Sequence, residues 1–181
     1  MQVIRSQKIE AEKFEVGDQI NVGTYTATCQ KLTDNTAVFI LDQYLDDAYP
    51  MNLTDTNAGG YEDSYLRKKL KDGKIDRSFE EIGDMLVPFE NGDLLRLPTV
   101  SEMFGYDDYY YEMDDAEQWE LMKNRINRIA ERRDTRYEWG WLRNKVKNSS
   151  AYFAIVYGNG NANYDGASGT YGVRPVFQLS N

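Results

Sequence analysis

Alternating apolar residues near the start of the chain predict antiparallel β-structure. Apolar side chains recur at every second position between Gln19 and Leu32, and Gly23 interrupts the pattern where a turn or bulge would lie. A turn-like sequence then leads into the apolar run 37–41. We therefore expect three antiparallel strands, with the thiol of Cys29 buried on their apolar face.

Short helical signals follow in the middle of the chain. Apolar residues on one face predict a helix over 62–70, and a second short helix is expected over 78–82. Residues 94–97 predict a brief strand. Thr99 and Glu102 then form the pattern of a capping box, which opens one further helical turn.

The longest helix is predicted from about Asp115 to Arg133. Its apolar residues recur at intervals of 3, 4 and 3, at Trp119, Met122, Ile126 and Ile129. Acidic residues occupy its first turns and arginines its last, an order that complements the helix dipole.

The C-terminal third predicts strands again, on aromatic and β-branched content, over 139–143, 151–157 and 173–179. Pro175 places the last strand at an edge or a bulge. The segment 158–169 predicts a loop that tolerates substitution, because its residues are small and polar. Helices between two sets of strands, without βαβ alternation, define an α+β class in one domain over 1–181, with 1–13 as a candidate N-terminal extension.

Composition excludes several chemistries. The chain has no His and a single Cys, so it lacks imidazole catalysis, His-ligated metal sites, intrachain disulfides and thiolate clusters. A net charge of −9 argues against direct nucleic-acid binding.

No apolar run is long enough to span a membrane, and the lone Cys fits a reducing compartment, the host cytoplasm or a virion assembled there. No catalytic motif is present, and the sequence predicts no enzyme.

Five segments in order carry a resemblance. They are Gly17-Asp18, 61–67, 97–102, Trp141-Leu142-Arg143 and 172–177. Together they resemble a domain family of unknown function from gut bacteria and their phages. That family is similar to the C-type-lectin-like fold of formylglycine-generating enzymes and variable phage tip proteins, in which small twisted sheets support long irregular loops. Because the enzymes of that group need cysteine or copper chemistry, the resemblance implies the scaffold alone.

Physical roles as framework are predicted for several residues of these segments. Trp139 and Trp141 can bury large areas, and Arg143 and Arg174 can tie loops to carboxylates or carbonyls. Gly172 is expected to adopt a backbone conformation that other residues resist.

The stretch 157–171 is the first candidate binding site. It is rich in Tyr, Asn, Ser and Gly, the composition of adaptable recognition loops, and it stands just before the framework ending, where the related phage proteins vary. The candidate ligand-binding residues are Tyr157, Asn159, Asn161, Asn163, Tyr164, Asp165 and Tyr171. Four of them alternate as calcium ligands do, but the glycine and glutamate of a calcium loop are missing. The sequence predicts no cofactor, with calcium here as an open alternative.

The acidic, tyrosine-rich stretch 106–115 is the second candidate. Acidic and aromatic residues together are a pattern that can bind a basic partner. The alternative is that the tyrosines cover the core beside Phe104. The candidate partner-binding residues are Asp107, Asp108, Tyr109, Tyr110, Tyr111, Asp114 and Asp115. Charge is also polarised: 32–65 has acids and no base, whereas 121–147 carries a net +6. The bases of 121–147 either pair with the acidic loops or form a separate anion-binding patch.

Two functions follow as hypotheses. The first is a non-catalytic recognition module, encoded by a phage or prophage, that binds a protein or glycan through 157–171 and 106–111. The second is an acidic inhibitor of the anti-CRISPR kind, which mimics nucleic acid and blocks a basic nucleic-acid-binding host protein.

Overall fold

The structure is a computed structural model that describes residues 13–105, 109–133 and 138–181. The strands in these ranges are β1 (Gln19–Val22), β2 (Tyr25–Leu32), β3 (Thr36–Leu41), β4 (Tyr49–Pro50), β5 (Gly140–Lys145), β6 (Tyr152–Val156), β7 (Ala162–Gly166), β8 (Thr170–Tyr171) and β9 (Val176–Ser180). The α-helices are α1 (Tyr65–Leu70), α2 (Val100–Phe104) and α3 (Arg125–Arg128), and 3₁₀-helices cover Arg77–Met85 and Glu120–Lys123. The predicted α+β class is confirmed.

The described strands form three antiparallel sheets, with orders β1-β2-β3-β9, β4-β8 and β5-β6-β7. The predicted three-stranded opening is confirmed, and Gly23 turns the first hairpin with a φ of +57° that favours glycine. The fourth strand comes from the far end of the chain, where Phe177 pairs opposite Phe39. The strand predicted over 173–179 is observed as β9, which begins after Pro175 and lies at the edge of this sheet.

Strand β3 separates two apolar cores, because successive side chains of a strand point to opposite faces. Its residues Ala37, Phe39 and Leu41 enter the first core, and Val38 and Ile40 enter the second. Strand β6 divides in the same way, with Phe153 and Ile155 in the first core and Ala154 and Val156 in the second. Both larger sheets therefore take part in both cores.

The capping box at α2 is confirmed. Thr99 Oγ1 accepts from the Glu102 amide at 3.0 Å, and Glu102 Oε2 accepts from the Thr99 amide at 2.9 Å. Arg96 binds both carboxylate oxygens of Glu102 at 2.8 and 2.6 Å. The strand predicted over 94–97 is reduced to an isolated bridge between Arg96 and Val176.

The long helix predicted from Asp115 to Arg133 is wrong. The helical residues there are the short 3₁₀-helix Glu120–Lys123 and α3. Trp119 and Met122 are buried in the second core, whereas Ile126 is 70% exposed, so the apolar spacing does not mark one continuous helix face. The Trp119 amide donates to the carbonyl of Glu102 at 3.0 Å, a long-range contact that a continuous helix would break.

In the described residues, the acidic segment 32–65 and the basic segment 121–147 are not joined by a broad network of ion pairs. Among the described residues, one ion pair joins 121–147 to 32–65, between Arg133 Nη2 and Asp46 Oδ2 at 4.0 Å. Both side chains are exposed, so this pair contributes little to stability.

The framework roles of Trp141 and Arg174 are confirmed. Trp141 is 1% exposed and its indole N–H donates to the carbonyl of Tyr49 at 2.7 Å. The buried Arg174 guanidinium donates to the carbonyls of Leu41 at 2.5 Å and Asn127 at 3.0 Å. Both side chains therefore tie separate segments together through backbone carbonyls.

Two small residues also have structural roles. Cys29 is buried as predicted, and burial raises the pKa of its thiol to about 11. The expectation for Gly172 is wrong in its reason, because its φ lies outside the left-handed region that favours glycine. A Cβ there would lie 2.6 Å from Cγ of Tyr44, so the neighbouring ring requires glycine.

The predicted loop 158–169 is only partly irregular, because it contains β7. Ala167 is fully buried, and Gly160 has a φ of +81°. A Cβ on Gly160 would lie 2.7 Å from the carbonyl oxygen of Arg125. The expected tolerance to substitution is therefore wrong at these positions.

Candidate recognition surface

Strands β6 and β7 expose two tyrosines on one face. Tyr152 is 42% and Tyr164 39% exposed, and their rings stack at 5.5 Å with 25° between the planes. The register explains the contact: Tyr164 lies opposite Ala154, two residues from Tyr152 on the same side of the sheet.

The turn that contains Tyr109 and Tyr110 brings further rings to this face. The ring of Tyr110 lies 6.3 Å from that of Tyr164 and 4.5 Å from that of Tyr109. Tyr109 is 76% and Tyr110 49% exposed. We call Tyr109, Tyr110, Tyr164 and Tyr152 the tyrosine row.

The third tyrosine of this turn anchors it to the sheet. Tyr111 is buried, and its hydroxyl donates to the carbonyl of Asn163 at 3.1 Å. The amide of Lys147 donates to the carbonyl of Tyr110 at 2.8 Å. The two predicted sites therefore meet, through Tyr110 and Tyr164. Of the two alternatives for these tyrosines, covering the core holds for Tyr111, whereas Tyr109 and Tyr110 are exposed and their contact with a basic partner stays a prediction. Tyr106 lies outside the described residues.

Side chains of β7 occupy two backbone donors at its free edge. The Tyr157 amide donates to the carbonyl of Asn161, and this register directs the amides of Tyr164 and Gly166 away from β6. Asn163 Oδ1 accepts from the Tyr164 amide at 2.8 Å, and Asp165 Oδ1 accepts from the Gly166 amide at 2.7 Å. These contacts occupy two of the outward-facing amides that an added strand would use.

The opposite face of β7 carries a different set of aromatic residues. The Tyr171 hydroxyl donates to Asp165 Oδ2, and burial together with this carboxylate raises the pKa of Tyr171. Tyr171 packs on Trp139 and Trp141, with ring centroids 5.4 and 4.9 Å apart, and Trp139 packs on Tyr157 at 4.6 Å. The predicted ligand-binding residues therefore divide between two faces.

The turn before β7 is held by α3. Arg125 Nη1 donates to the carbonyl of Asn159 at 3.0 Å, and Arg128 Nε donates to that of Gly160 at 2.9 Å. Asn159 Oδ1 accepts from the Asn161 amide at 3.0 Å. Asn159 and Asn161 therefore shape the turn. No sequence pattern predicted that Arg125 and Arg128 bind its carbonyls.

The calcium alternative finds no support in this geometry. Asn163 and Asp165 lie along a strand, and their Oδ1 atoms already accept backbone amides. No group of three or more His, Cys, Asp or Glu side chains in the described part of the chain could hold a metal ion.

The acidic candidates have separate environments. Asp107 and Asp108 lie outside the described residues. Asp114 has an internal role: Oδ2 accepts from Asn144 at 2.7 Å and from the Ser101 amide at 3.3 Å.

Glu112 and Asp115 follow the turn of Tyr109 and Tyr110 in the chain, and both are exposed. Glu112 pairs with Lys145 at 3.1 Å. An exposed acidic side chain available to a partner is therefore Asp115 rather than Asp114.

Tyr152 is the member of the tyrosine row that sequence reasoning missed. It stands in the apolar run 151–157, where every neighbour is also apolar and no alternation marks a face. The register with β7 assigns Tyr152 to the face of Tyr164.

The comparisons with known proteins add no relative to this description. No protein-family model matches the sequence, no curated protein matches it, and no solved structure matches the fold. Within the described residues, no helix has both the length and the apolar composition that a membrane span requires.

Proposed function

We propose that this chain is a non-catalytic recognition module that binds a protein partner through the tyrosine row. The observation that carries the proposal is the contact between Tyr110 and Tyr164, which joins two segments of recognition-type composition into one exposed surface. Tyrosine supplies large, rigid contact area at low entropic cost and can also hydrogen-bond, as binding surfaces require.

The rings of the tyrosine row are attached to segments that are held in place, which suits a binding surface. Two of its members are on paired strands, and the turn with the other two is tied down by the hydrogen bond of Tyr111 to Asn163. Rings held in this way lose little freedom on association, so more of the contact energy remains as affinity.

The acidic residues that follow the turn in the chain suggest the chemistry of the partner. Asp115 is exposed, Glu112 lies at the end of the same turn, and the chain has a net charge of −9. A partner with a basic rim around an apolar contact would be steered to this surface. A basic nucleic-acid-binding host protein meets that description, which keeps the acidic-inhibitor hypothesis as the second candidate.

The proposal also includes the scaffold of the protein and the origin of its gene. The five segments that resemble the gut-bacterial and phage family support a C-type-lectin-like framework, and the short antiparallel sheets with irregular connections are compatible with it. A phage or prophage gene is the proposed source, and the host cell is the place to look for the partner.

The test is affinity capture from a gut-bacterial lysate with quantitative mass spectrometry, followed by a binding isotherm for each captured protein. The wild type is compared with Tyr110→Ala/Tyr164→Ala. We expect the double variant to lose a partner by more than about tenfold in affinity, since a few aromatic anchors dominate interface energies.

The matched control is Leu53→Ala/Met85→Ala, which removes two exposed apolar side chains elsewhere. Its partner affinity should equal that of the wild type. Equal losses in both double variants, or none in either, would contradict the tyrosine row as the binding surface. Loss of the complex at high salt would favour the acidic inhibitor, and salt tolerance would favour aromatic recognition.

A further inference from the structure

A cavity of about 450 Å³ is lined by residues of β2, β3, β5 and the segment 89–96. None of the tyrosine row lines it. Glu62 and Arg143 also line a neighbouring cavity of about 420 Å³, so these two side chains lie close together between the two spaces. The charged residues that line the first cavity are Lys31, Glu62, Glu90, Arg96, Glu102 and Arg143.

The side chain of Arg143 is half-buried and has no partner among the described residues. Its backbone amide donates to the carbonyl of Pro98 at 3.1 Å, but its guanidinium is in none of the ion pairs of the described chain. The tie expected from Arg143 to a carboxylate or carbonyl is therefore not formed within the described residues. Its nitrogens are not among the buried unpaired atoms of the described chain, so the guanidinium is open to the cavity.

Glu62 carries the opposite charge beside Arg143. Its side chain is 58% exposed, and Oε2 lies 3.3 Å from Nε of Arg67. Arg67 binds Asp93 through Nε at 2.8 Å and Nη2 at 2.9 Å, so Glu62 is its second carboxylate. Glu62 and Arg143 form no ion pair with each other in the described structure. Two opposite charges that line one cavity without pairing leave room for a ligand that carries both charges.

The other charges of the lining balance each other. Arg96 donates to both carboxylate oxygens of Glu102, at 2.8 and 2.6 Å. Lys31 and Glu90 are both exposed and have opposite signs. Among the described lining residues, three bases thus accompany three acids, so a ligand without net charge is favoured over an anion or a cation.

Apolar surface lies beside these charges. Phe89 is half-buried and packs on the second core, whose residues Val38 and Trp119 also line the cavity. The volume falls in the range of about 300–1,000 Å³ that small-molecule sites occupy. The cavity can therefore hold an apolar group next to a pair of charges.

We propose that this cavity binds a free α-amino acid with an apolar side chain. The carboxylate of the ligand accepts from the guanidinium of Arg143, whose N–H groups can form two parallel hydrogen bonds to it. The ammonium group of the ligand donates to the carboxylate of Glu62, and its side chain packs on Phe89. This site goes beyond the proposed function, since it requires neither the tyrosine row nor a protein partner.

The test is an NMR titration of the full chain with L-leucine, L-methionine and L-phenylalanine. We expect at least one of them to shift the Arg143 Nε–H and Trp119 indole N–H signals saturably. The indole signal of Trp141, which lies in the first core, should stay in place. No saturation by any of the three amino acids would overturn the proposal.

Derivatives test which groups of the ligand the cavity binds. The N-acetyl derivative of the bound amino acid lacks the ammonium group, its amide lacks the carboxylate, and glycine lacks the apolar side chain. Each should bind at least about tenfold more weakly, the scale of one lost charged hydrogen bond or one lost apolar contact. Equal affinity of any of them would refute the proposal. The N-acetyl derivative would then indicate a peptide C-terminus as the ligand, and the amide a peptide N-terminus.

Variants separate the site from a general effect on folding. Arg143→Gln should weaken amino-acid binding by at least about tenfold and melt as the wild type does, because its side chain has no partner to lose among the described residues. Glu62→Gln should remove the preference for the free amino acid over its N-acetyl derivative, a selectivity that a purely structural role would not change. The matched control is Arg77→Gln, since Arg77 is exposed and lines neither cavity, and it should bind as the wild type does. Wild-type affinity in Arg143→Gln, or unchanged selectivity in Glu62→Gln, would refute the site.

Discussion

The two faces of strand β7 carry similar residue types in different environments, one exposed and one packed against the core. On one face Tyr164 stacks with Tyr152 and approaches Tyr110 in an exposed row. On the other face Asp165 accepts from the hydroxyl of Tyr171, which packs on the buried Trp141. A Tyr/Asn/Gly-rich segment can thus contain both an exposed aromatic surface and the residues that support it, divided by the two-residue period of a strand.

The largest expected effect is on the supporting face. Trp141→Ala should lower the free energy of unfolding by about 3–5 kcal/mol, because a fully buried indole leaves a large cavity. Urea denaturation measures it. A change below about 1 kcal/mol would show that Trp141 does not hold the two faces together.

Alanine variants of Tyr171 and Tyr164, which lie on opposite faces of β7, test the difference between the two faces. Tyr171→Ala should destabilise the protein by about 3 kcal/mol, since it removes the packing on Trp139 and Trp141 and the bond to Asp165. Tyr164→Ala should cost less than about 1 kcal/mol, because much of that ring is exposed. Equal losses in thermal denaturation would remove the distinction between the faces.

The turn before β7 gives a matched glycine pair. Gly160→Ala and Gly92→Ala both place a Cβ at positive φ, +81° and +84°, which costs about 1–2 kcal/mol. Only at Gly160 does the Cβ also meet a backbone atom, the Arg125 carbonyl oxygen at 2.7 Å, whereas nothing lies within 4 Å at Gly92. We expect Gly160→Ala to melt lower than Gly92→Ala. The reverse order would mean that α3 does not hold this turn.

Alkaline pH sharpens the comparison further. The pKa of Tyr171 is raised by burial and by Asp165, so its phenol ionises more readily in the unfolded chain. Its stabilising contribution is complete below the unfolded pKa near 10.0 and is lost as pH rises through the higher folded value. Tyr171→Phe should make the free energy of unfolding less dependent on pH above this point. Buried Tyr25 and Tyr44, whose pKa values are raised to about 12, keep part of the slope.

The smallest effect is expected at Asp115, which is exposed and follows the turn of Tyr109 and Tyr110 in the chain. Asp115→Asn should change stability by less than about 0.5 kcal/mol, as exposed charges usually do. Partner affinity should fall slightly and become less sensitive to salt, while Tyr110→Ala/Tyr164→Ala causes the larger loss. A binding isotherm at two salt concentrations compares the two. A larger loss with Asp115→Asn would favour the nucleic-acid mimic.

Local signals in the sequence determined several features of the fold. The alternation over 19–32 and the apolar run 37–41 predicted β1–β3, and the capping box at Thr99 predicted the start of α2, because each signal involves neighbours in the chain. The absence of His likewise excluded imidazole chemistry without reference to any fold.

Tertiary structure alone decided the remainder. The spacing of Trp119 and Met122 reports which side chains are buried but not the conformation between them, so the predicted long helix was wrong. Register with β6 decided that Tyr164 is exposed while Asp165 supports the fold. Burial, register and hydrogen-bond pairing are relations between distant segments, and a single sequence records only local preferences.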